Sequence, residues 1–188
     1  MITGKYPSLR LRRSRKYTWS RRLVQETNLS SNDLIYPIFL IEGKKKIQPI
    51  KSMPGVRRYS IDRLGTVIEK VIKCKIPMVA LFPSTPSINK DKRGSEALNE
   101  NNLVCKALRY IKKRFKNNVG LMCDVALDPY TIHGHDGILN NNYVLNDKTI
   151  EVLTKQALLQ AQMGCDVIAP SDMMDGRIGK IRKYLDKN

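Results

Sequence analysis

Four short apolar runs, each cut off by a proline or a glycine, set the strongest limit on what this chain can fold into. IYPIFLI at 35–41 ends at Glu42–Gly43, and MVALF at 78–82 ends at Pro83. VGLMCDVAL at 119–127 stops at Asp128–Pro129, and DVIA at 166–169 stops at Pro170. Near-continuous hydrophobicity between such breakers predicts strands buried on both faces, hence a parallel sheet. Helix-period segments lie between them. Ile61–Lys73 places Leu64, Ile68, Val71 and Ile72 on one side, and Leu103–Phe115 does the same with Leu103, Ala107, Leu108 and Ile111. Asp147–Met163 carries Ile150, Leu153, Ala157, Leu158 and Ala161 behind an expected Asp147 cap, and Ile178–Leu185 reads as a fourth helix. Strand then helix, four times over, is an α/β arrangement with right-handed crossovers.

The runs begin at 35, 78, 119 and 166, so the repeat is 43, 41 and 47 residues long. A closed (β/α)8 barrel needs eight such units and typically ~250 residues. The 188 residues here hold four. The expectation is therefore either a small open sheet or the first half of a barrel, with the outer edges of its first and last strands unpaired.

Residues 1–34 lack this texture. They are polar and basic until Leu23–Val24 and predict an extended arm with one short helix near Ser20–Thr27, ahead of a partial barrel over 35–188. An arm with so little apolar surface cannot build its own core, so it must lie on this domain or on a neighbouring subunit. The net charge of +17, from 34 Lys+Arg against 17 Asp+Glu, raises a nucleic-acid partner. The positives are spread along the chain and interleaved with asparagine, as around Asn140–Asn142, so nucleic acid is not the expected partner. No apolar run approaches the ~18–20 residues of a membrane span. The basic N-terminus has no apolar segment after it and does not read as a secretory signal, which makes the cytoplasm the expected compartment. Cys74, Cys105, Cys123 and Cys165 are scattered and form no C-x-x-C pair, so they read as buried thiols in a reducing compartment.

Polar residues gather where the apolar runs end: Ser84–Thr85, Asp124 to Asp136, and Ser171–Asp172. In parallel α/β folds the ligand site lies at the carboxyl ends of the strands. The densest group, DVALDPYTIHGHDG at 124–137, holds three aspartates and the chain's only histidines, His133 and His135. His133-x-His135 with aspartates is compatible with a metal site. Gly134 and Gly137 fix ligand geometry poorly, however, and the spacing by itself leaves metal, carboxylate and plain-loop readings open.

The run DVALDPYTIHGHDGIL, followed by YVLND at 143–147 and APSDMMDGRIGKIR at 169–182, resembles the 5-aminolevulinate dehydratase (porphobilinogen synthase) family. RLRRSRKYTWSRRLVQE at 10–26, DLIYPIFLIEG at 33–43, SMPGV at 52–56, VALFPSTP at 79–86 and GSEALN at 94–99 agree in colinear order. The resemblance implies a lyase of haem and tetrapyrrole biosynthesis, which condenses two 5-aminolevulinate molecules to porphobilinogen with loss of water. It also implies a (β/α)8 barrel whose arm, here Arg10–Arg22, wraps a neighbouring subunit in a homo-octamer. In the zinc-using branch three cysteines stand where this sequence has Ala126, Asp128 and Asp136. The resemblance is thus to the branch without catalytic zinc, in which Asp128 and Asp136 face the substrate amine and serve catalysis. Asp124, Ser171 and Asp172 are implied to line the substrate site, with Ser171 alternatively a helix N-cap. Asp175 and Arg177 are expected to be structural or interfacial, and a stimulatory Mg2+ is implied with its ligand beyond residue 188.

The family's two Schiff-base lysines belong to barrel strands five and six. Lys155, Lys180 and Lys183 sit on helices, where nothing lowers an amine pKa towards the ~7–8 that suits proton transfer. The expectation is a partial sequence or the product of a split or decaying gene. Two other classes stand beside it: a non-catalytic assembly or binding fragment, and a metal-dependent lyase or hydrolase using His133 and His135.

Overall fold

The computed structural model describes residues 4–188, which divide into two compact units between Ser30 and Ser31. In the first, a 3-10 turn over Leu11–Arg15 precedes α1 (Thr18–Leu23). The Tyr17 N–H donates to Ser20 Oγ at 3.3 Å and Ser20 Oγ donates back to the Tyr17 carbonyl at 2.9 Å, which starts the helix two residues earlier than expected. It also ends earlier, at Leu23, because the sequence beyond offers no further apolar period. Trp19, Leu23 and Leu29 stay largely exposed, and Ser20 is the one buried residue of α1. The boundary falls four residues before the expected 34/35, since Leu34 N–H already bonds back to the Ser31 carbonyl in the turn leading into the sheet.

The second unit is built on β1 (Ile35–Ile41), β4 (Met78–Ser84), β5 (Gly120–Val125) and β8 (Val167–Pro170). They are parallel neighbours in chain order. The connecting helices are α2 (Leu64–Lys73), α3 (Leu103–Phe115) and α4 (Asn146–Gln162), with α5 (Arg177–Leu185) following β8. Sequential parallel order with intervening helices is the arrangement of the first half of a (β/α)8 barrel. Asn102 caps α3 by accepting from Cys105 N–H at 2.8 Å, and the helix has the expected limits. The expected Asp147 cap is displaced. Leu145 precedes α4, and Asp147 lies inside its first turn, where its charge still suits the helix N-terminus.

A hairpin without an apolar pattern in the sequence, β2 (Ile47–Pro49) with β3 (Arg57–Tyr59), extends the sheet, and a separate short ribbon, β6 (Leu139–Asn140) with β7 (Tyr143–Val144), precedes α4. β3 runs parallel to β1 through Phe39↔Arg58 and Leu40↔Tyr59. The outer edge of strand one is therefore partly paired, contrary to expectation, whereas β8 ends the sheet on its other side.

Burial also differs from the expected two-faced pattern. Ile38, Leu40, Val79, Leu81, Leu121 and Cys123 point to the helix side and pack on Leu64, Ile68, Leu108 and Ile111. Alternate residues on the opposite face, such as Phe39 and Phe82 with ring centroids 5.6 Å apart, are only half-buried. Four strands do not enclose the inner face that eight would.

This asymmetry yields a test in the 188-residue chain. Leu108→Ala should cost about 2–5 kcal/mol in denaturant unfolding, because its site is fully buried. Phe39→Ala should cost clearly less. Equal losses would show that the inner face is packed after all.

Candidate active site

The carboxyl ends of β5 and β8 meet through their register. Asp124↔Ala169 and Val125↔Pro170 are paired, so the next residue, Ser171, lies diagonally across from Asp124 on the same face of the sheet. Ser171 Oγ donates to Asp124 Oδ1 at 2.6 Å. Ser171 is not an N-cap: α5 starts at Arg177 behind Gly176, whose φ of 79° puts it in the left-handed region. Past Val125 the chain turns, with Tyr130 and Thr131 N–H groups both donating to the Leu127 carbonyl. Asp128 rides on the exposed side of this turn, and Tyr130 anchors it in a second core cluster with Leu127, Leu153 and Met174.

The loop after β4 clamps this turn. Asp91 N–H donates to the Tyr130 carbonyl at 3.2 Å, and Ile132 N–H donates to the Asp91 carbonyl at 3.0 Å. The Asp91 carboxylate in turn accepts from the N–H groups of Arg93 and Ser95. The DKRGS pattern at 91–95 carries the sequence signal for this Asx-type turn. Further on, Thr131 Oγ1 donates to the His135 carbonyl at 2.9 Å. Gly137 is required by space: a Cβ there would lie 2.8 Å from Val144 Cγ1.

His133 Nδ1 accepts the His135 N–H at 3.1 Å. His135 Nδ1 lies 3.0 Å from the Gly137 N–H and 2.9 Å from Asp136 Oδ1. A bare Nδ1 can accept only the former, and a protonated one can donate only to the latter, so the two contacts alternate with the tautomer. The ring centroids of the two histidines are 6.5 Å apart, and among the described residues no three of His, Cys, Asp and Glu are placed to share an ion.

Asp172 differs from its neighbours. Its side chain has no exposed surface: Oδ1 accepts the Met174 N–H at 2.7 Å and Oδ2 lies 3.0 Å from Arg177 Nε. That last contact is an ion pair whose angles are poor for a hydrogen bond. The buried Asp172 braces the turn, while Asp124, Asp128 and Asp136 stay accessible or half-buried. Arg177 serves the same brace, and Asp175 is held through its main chain by Asn146. Ala126 is buried and offers no donor. Zinc does not fit this set: one position is a methyl and the other two are hard carboxylate oxygens.

Burial pushes the Asp124 carboxyl up, Asp172 adds to the rise, and the Ser171 hydrogen bond opposes it. Asp128 is also raised, first by partial loss of water and then by Asp124 and Asp136, with Lys90 opposing. By surface area Asp128 is the more exposed, so solvent screens its shift more. Asp172 is raised by burial against Met174 N–H and Arg177. The cluster is short of positive charge, and a bound cation would relieve it.

Two residues missed in the sequence lie behind this mouth. Gln160 Nε2 donates to the Asp124 carbonyl at 2.9 Å and Gln156 Nε2 to the Ala126 carbonyl at 3.3 Å. They occupy the buried face of α4, where Leu158 and Ala161 had been expected and prove only half-buried. Polar residues four apart beside Leu153 and Ala157 were the available signal.

A carboxylate cluster at the mouth of sequential parallel strands, on half of a β/α barrel, stands where β/α-barrel proteins place their ligand sites. The family model described as delta-aminolevulinic acid dehydratase matches residues 8–188, and the chain belongs to that family. It is 54% identical over 180 residues to the delta-aminolevulinic acid dehydratase of Bradyrhizobium diazoefficiens, covering 96% of this chain and 51% of the relative. With the Chlamydia pneumoniae enzyme identity is 46% over 181 residues, covering 96% and 54%. The crystal structure of the Toxoplasma gondii enzyme with its reaction product porphobilinogen superposes with a TM-score of 0.90 at 39% identity, covering 95% of this chain and 51% of that one. The chain spans about half the length of the relatives it matches.

The raised Asp124 carboxyl makes a pH prediction. An acid raised above its unfolded ~3.9 binds more protons when folded, so its favourable contribution is intact below that value and lost as pH rises through the folded pKa. Asp124→Asn keeps the acceptor for Ser171 and removes the charge. At pH 7 it should raise unfolding stability by about 1 kcal/mol, the size of a typical favourable substitution. The gain should vanish near pH ~3.5, below the unfolded value. A gain or loss independent of pH would contradict this.

Proposed function

We propose that the protein to which this chain belongs condenses two molecules of 5-aminolevulinate to porphobilinogen with loss of water. The observation that carries the reading is the cluster of Asp124, Asp128 and Asp136 at the strand mouth, in a member of the dehydratase family. Each substrate brings an ammonium group. A carboxylate beside it stabilises the charged form, and a carboxylate whose pKa is raised is the better acceptor of its proton. Asp128 and Asp136 take one amine, the first exposed and the second held beside His135. Asp124, oriented by Ser171, lines the place of the other.

The imine-forming lysines belong to the part of the relatives that this chain does not span. Lys155, Lys180 and Lys183 are exposed on α4 and α5, away from any strand end. The reaction proceeds without catalytic zinc, and a stimulatory Mg2+ has its carboxylate beyond Asn188. The arm, with Trp19, Leu23 and Leu29 outward, docks on another copy in a homo-octamer in the cytoplasm. No helix among the described residues is long and apolar enough to cross a membrane. The metal-hydrolase alternative gains nothing from a histidine pair whose Nδ1 atoms both lie within reach of main-chain N–H groups.

Two measurements test the reading. The full-length protein should form porphobilinogen at an undiminished rate after treatment with a zinc-selective chelator; loss of activity restored only by zinc would reject the zinc-free site. Asp136→Ala should lower kcat about 100-fold or more, the scale of a lost proton-transfer group, with little change in melting temperature. Unfolding of that variant where the parent stays folded would make Asp136 structural instead.

A further inference from the structure

Gln156 and Gln160 are 1% and 2% exposed, one helical turn apart on α4. A glutamine buried between helix and sheet is costly unless every polar atom is satisfied. Here each amide nitrogen is used, but neither Oε1 has a hydrogen-bond donor among the described residues. Methionine or leucine would fill the same space without leaving those oxygens bare. The sequence thus keeps two amides whose bare oxygens cost stability and whose nitrogens answer two main-chain carbonyls.

What the amides do is local. Their Nε2 groups end on the carbonyls of Asp124 and Ala126, the last residue but one of β5 and the first beyond it. On the β8 side the pairing runs on through Asp124↔Ala169 and Val125↔Pro170, but the β4 side supplies little there. β4 carries Pro83 and β8 carries Pro170, and proline has no N–H to donate to a ladder. Paired residues of β4 and β5 end at Leu81↔Cys123. On its β4 side the end of β5 that presents Asp124, and leads on to Asp128, is left to side chains.

We propose that Gln156 and Gln160 are positioning residues for the dehydratase reaction: held from the helix side, the Asp124 and Ala126 carbonyls fix where the end of β5 presents Asp124 and Asp128. The two glutamines grip carbonyls two residues apart at the end of the strand, so together they set its pitch as well as its height. Asp124 receives Ser171 from the β8 side and Gln160 from α4, so its carboxylate and its carbonyl are located independently. This rests on the reading of the aspartates as ammonium-facing groups, but its structural half can be measured without it.

The test compares Gln156→Met, Gln160→Met and the double variant with Gln162→Met, an exposed control on the same helix, all in the full-length protein. Amide hydrogen exchange at residues 124–128 should quicken about tenfold or more in the double variant, with β1 and β4 unchanged. Melting temperature should stay within about 3 °C, because removal of a bare buried oxygen offsets the carbonyl left without its donor. With 5-aminolevulinate, kcat should fall about tenfold or more and KM change less than about twofold, since misplaced groups lose rate before affinity. Unchanged exchange at 124–128 overturns the proposal. So does a general fall in stability with exchange rising through β1 and β4, which would make the glutamines ordinary core. If the parent forms no porphobilinogen, the functional reading falls by itself, and the exchange data still decide whether the glutamines hold the strand end.

Discussion

The register of β8 against β5 is the constraint on which the site depends. It is locked at both ends by side chains. At the amino end Asp166 N–H donates to the Leu121 carbonyl at 2.8 Å, while the Asp166 carboxylate takes the Leu121 N–H at 2.8 Å and both oxygens face Lys112 Nζ. At the carboxyl end Ser171 closes on Asp124. A slip of one residue would break the Asp166 clamp and turn β8 over, moving Ile168 off the helix-side core. Because the slip is forbidden at one end, the serine arrives beside the aspartate at the other. A surface ion pair such as Lys112–Asp166 contributes little to stability by itself. Its weight here is geometric.

The same locking lets the fold hold carboxylates together against their repulsion. Asp124, Asp128 and Asp172 all have raised pKa values, in each case first by loss of water. Asp172 is answered within the turn by Arg177 and Met174 N–H, so its charge is spent on architecture. Asp124 is opposed by the Ser171 hydroxyl and a main-chain N–H, and Asp128 by a main-chain N–H and Lys90, with no ion pair on either. In a chain of net charge +17 this local shortage of cations is a specific arrangement. The difference between Asp172 and Asp124 also shows why residues close together in a motif need not share a role.

Much of this was legible because strands and helices announce themselves by period. The run IYPIFLI became β1 residue for residue, and α3 has the limits that its apolar spacing set. The proximity of Asp124 to Ser171 followed from the ends of consecutive parallel strands. The hairpin of β2 and β3 was not legible, since three-residue strands bearing Gln48, Arg57 and Arg58 have no apolar pattern to find. Gln156 and Gln160 were overlooked for the opposite reason. A periodicity argument assigns the buried face to apolar residues, and these two are buried by hydrogen bonds to a strand end rather than by hydrophobicity. The exposure of the inner sheet face was hidden too, because Phe39 and Phe82 are written in the sequence as core residues, and composition cannot say how many strands will cover them.

Two cores, not one, support the sheet, and the site belongs to the smaller. Ile38, Leu81, Leu121 and the apolar faces of α2 and α3 make the first, closed cluster. Leu127, Tyr130, Leu153, Met174 and Ile181 make the second, under the site loop and beside β8. On that side Val167, Ile168, Ile178 and Leu185 border an open groove of about 660 Å3, and α5 buries only Ile181. An element with few buried contacts opens locally at lower free energy than the core does. Site geometry is therefore tied to the less secure half of the structure, through Tyr130 on one side and Met174 on the other. The hydrogen bonds reaching in from elsewhere, from the Asp91 loop and from the glutamines of α4, oppose that weakness. They fasten the Asp124–Asp136 stretch to elements other than the open edge, so its carboxylates need not follow every movement of β8 and α5.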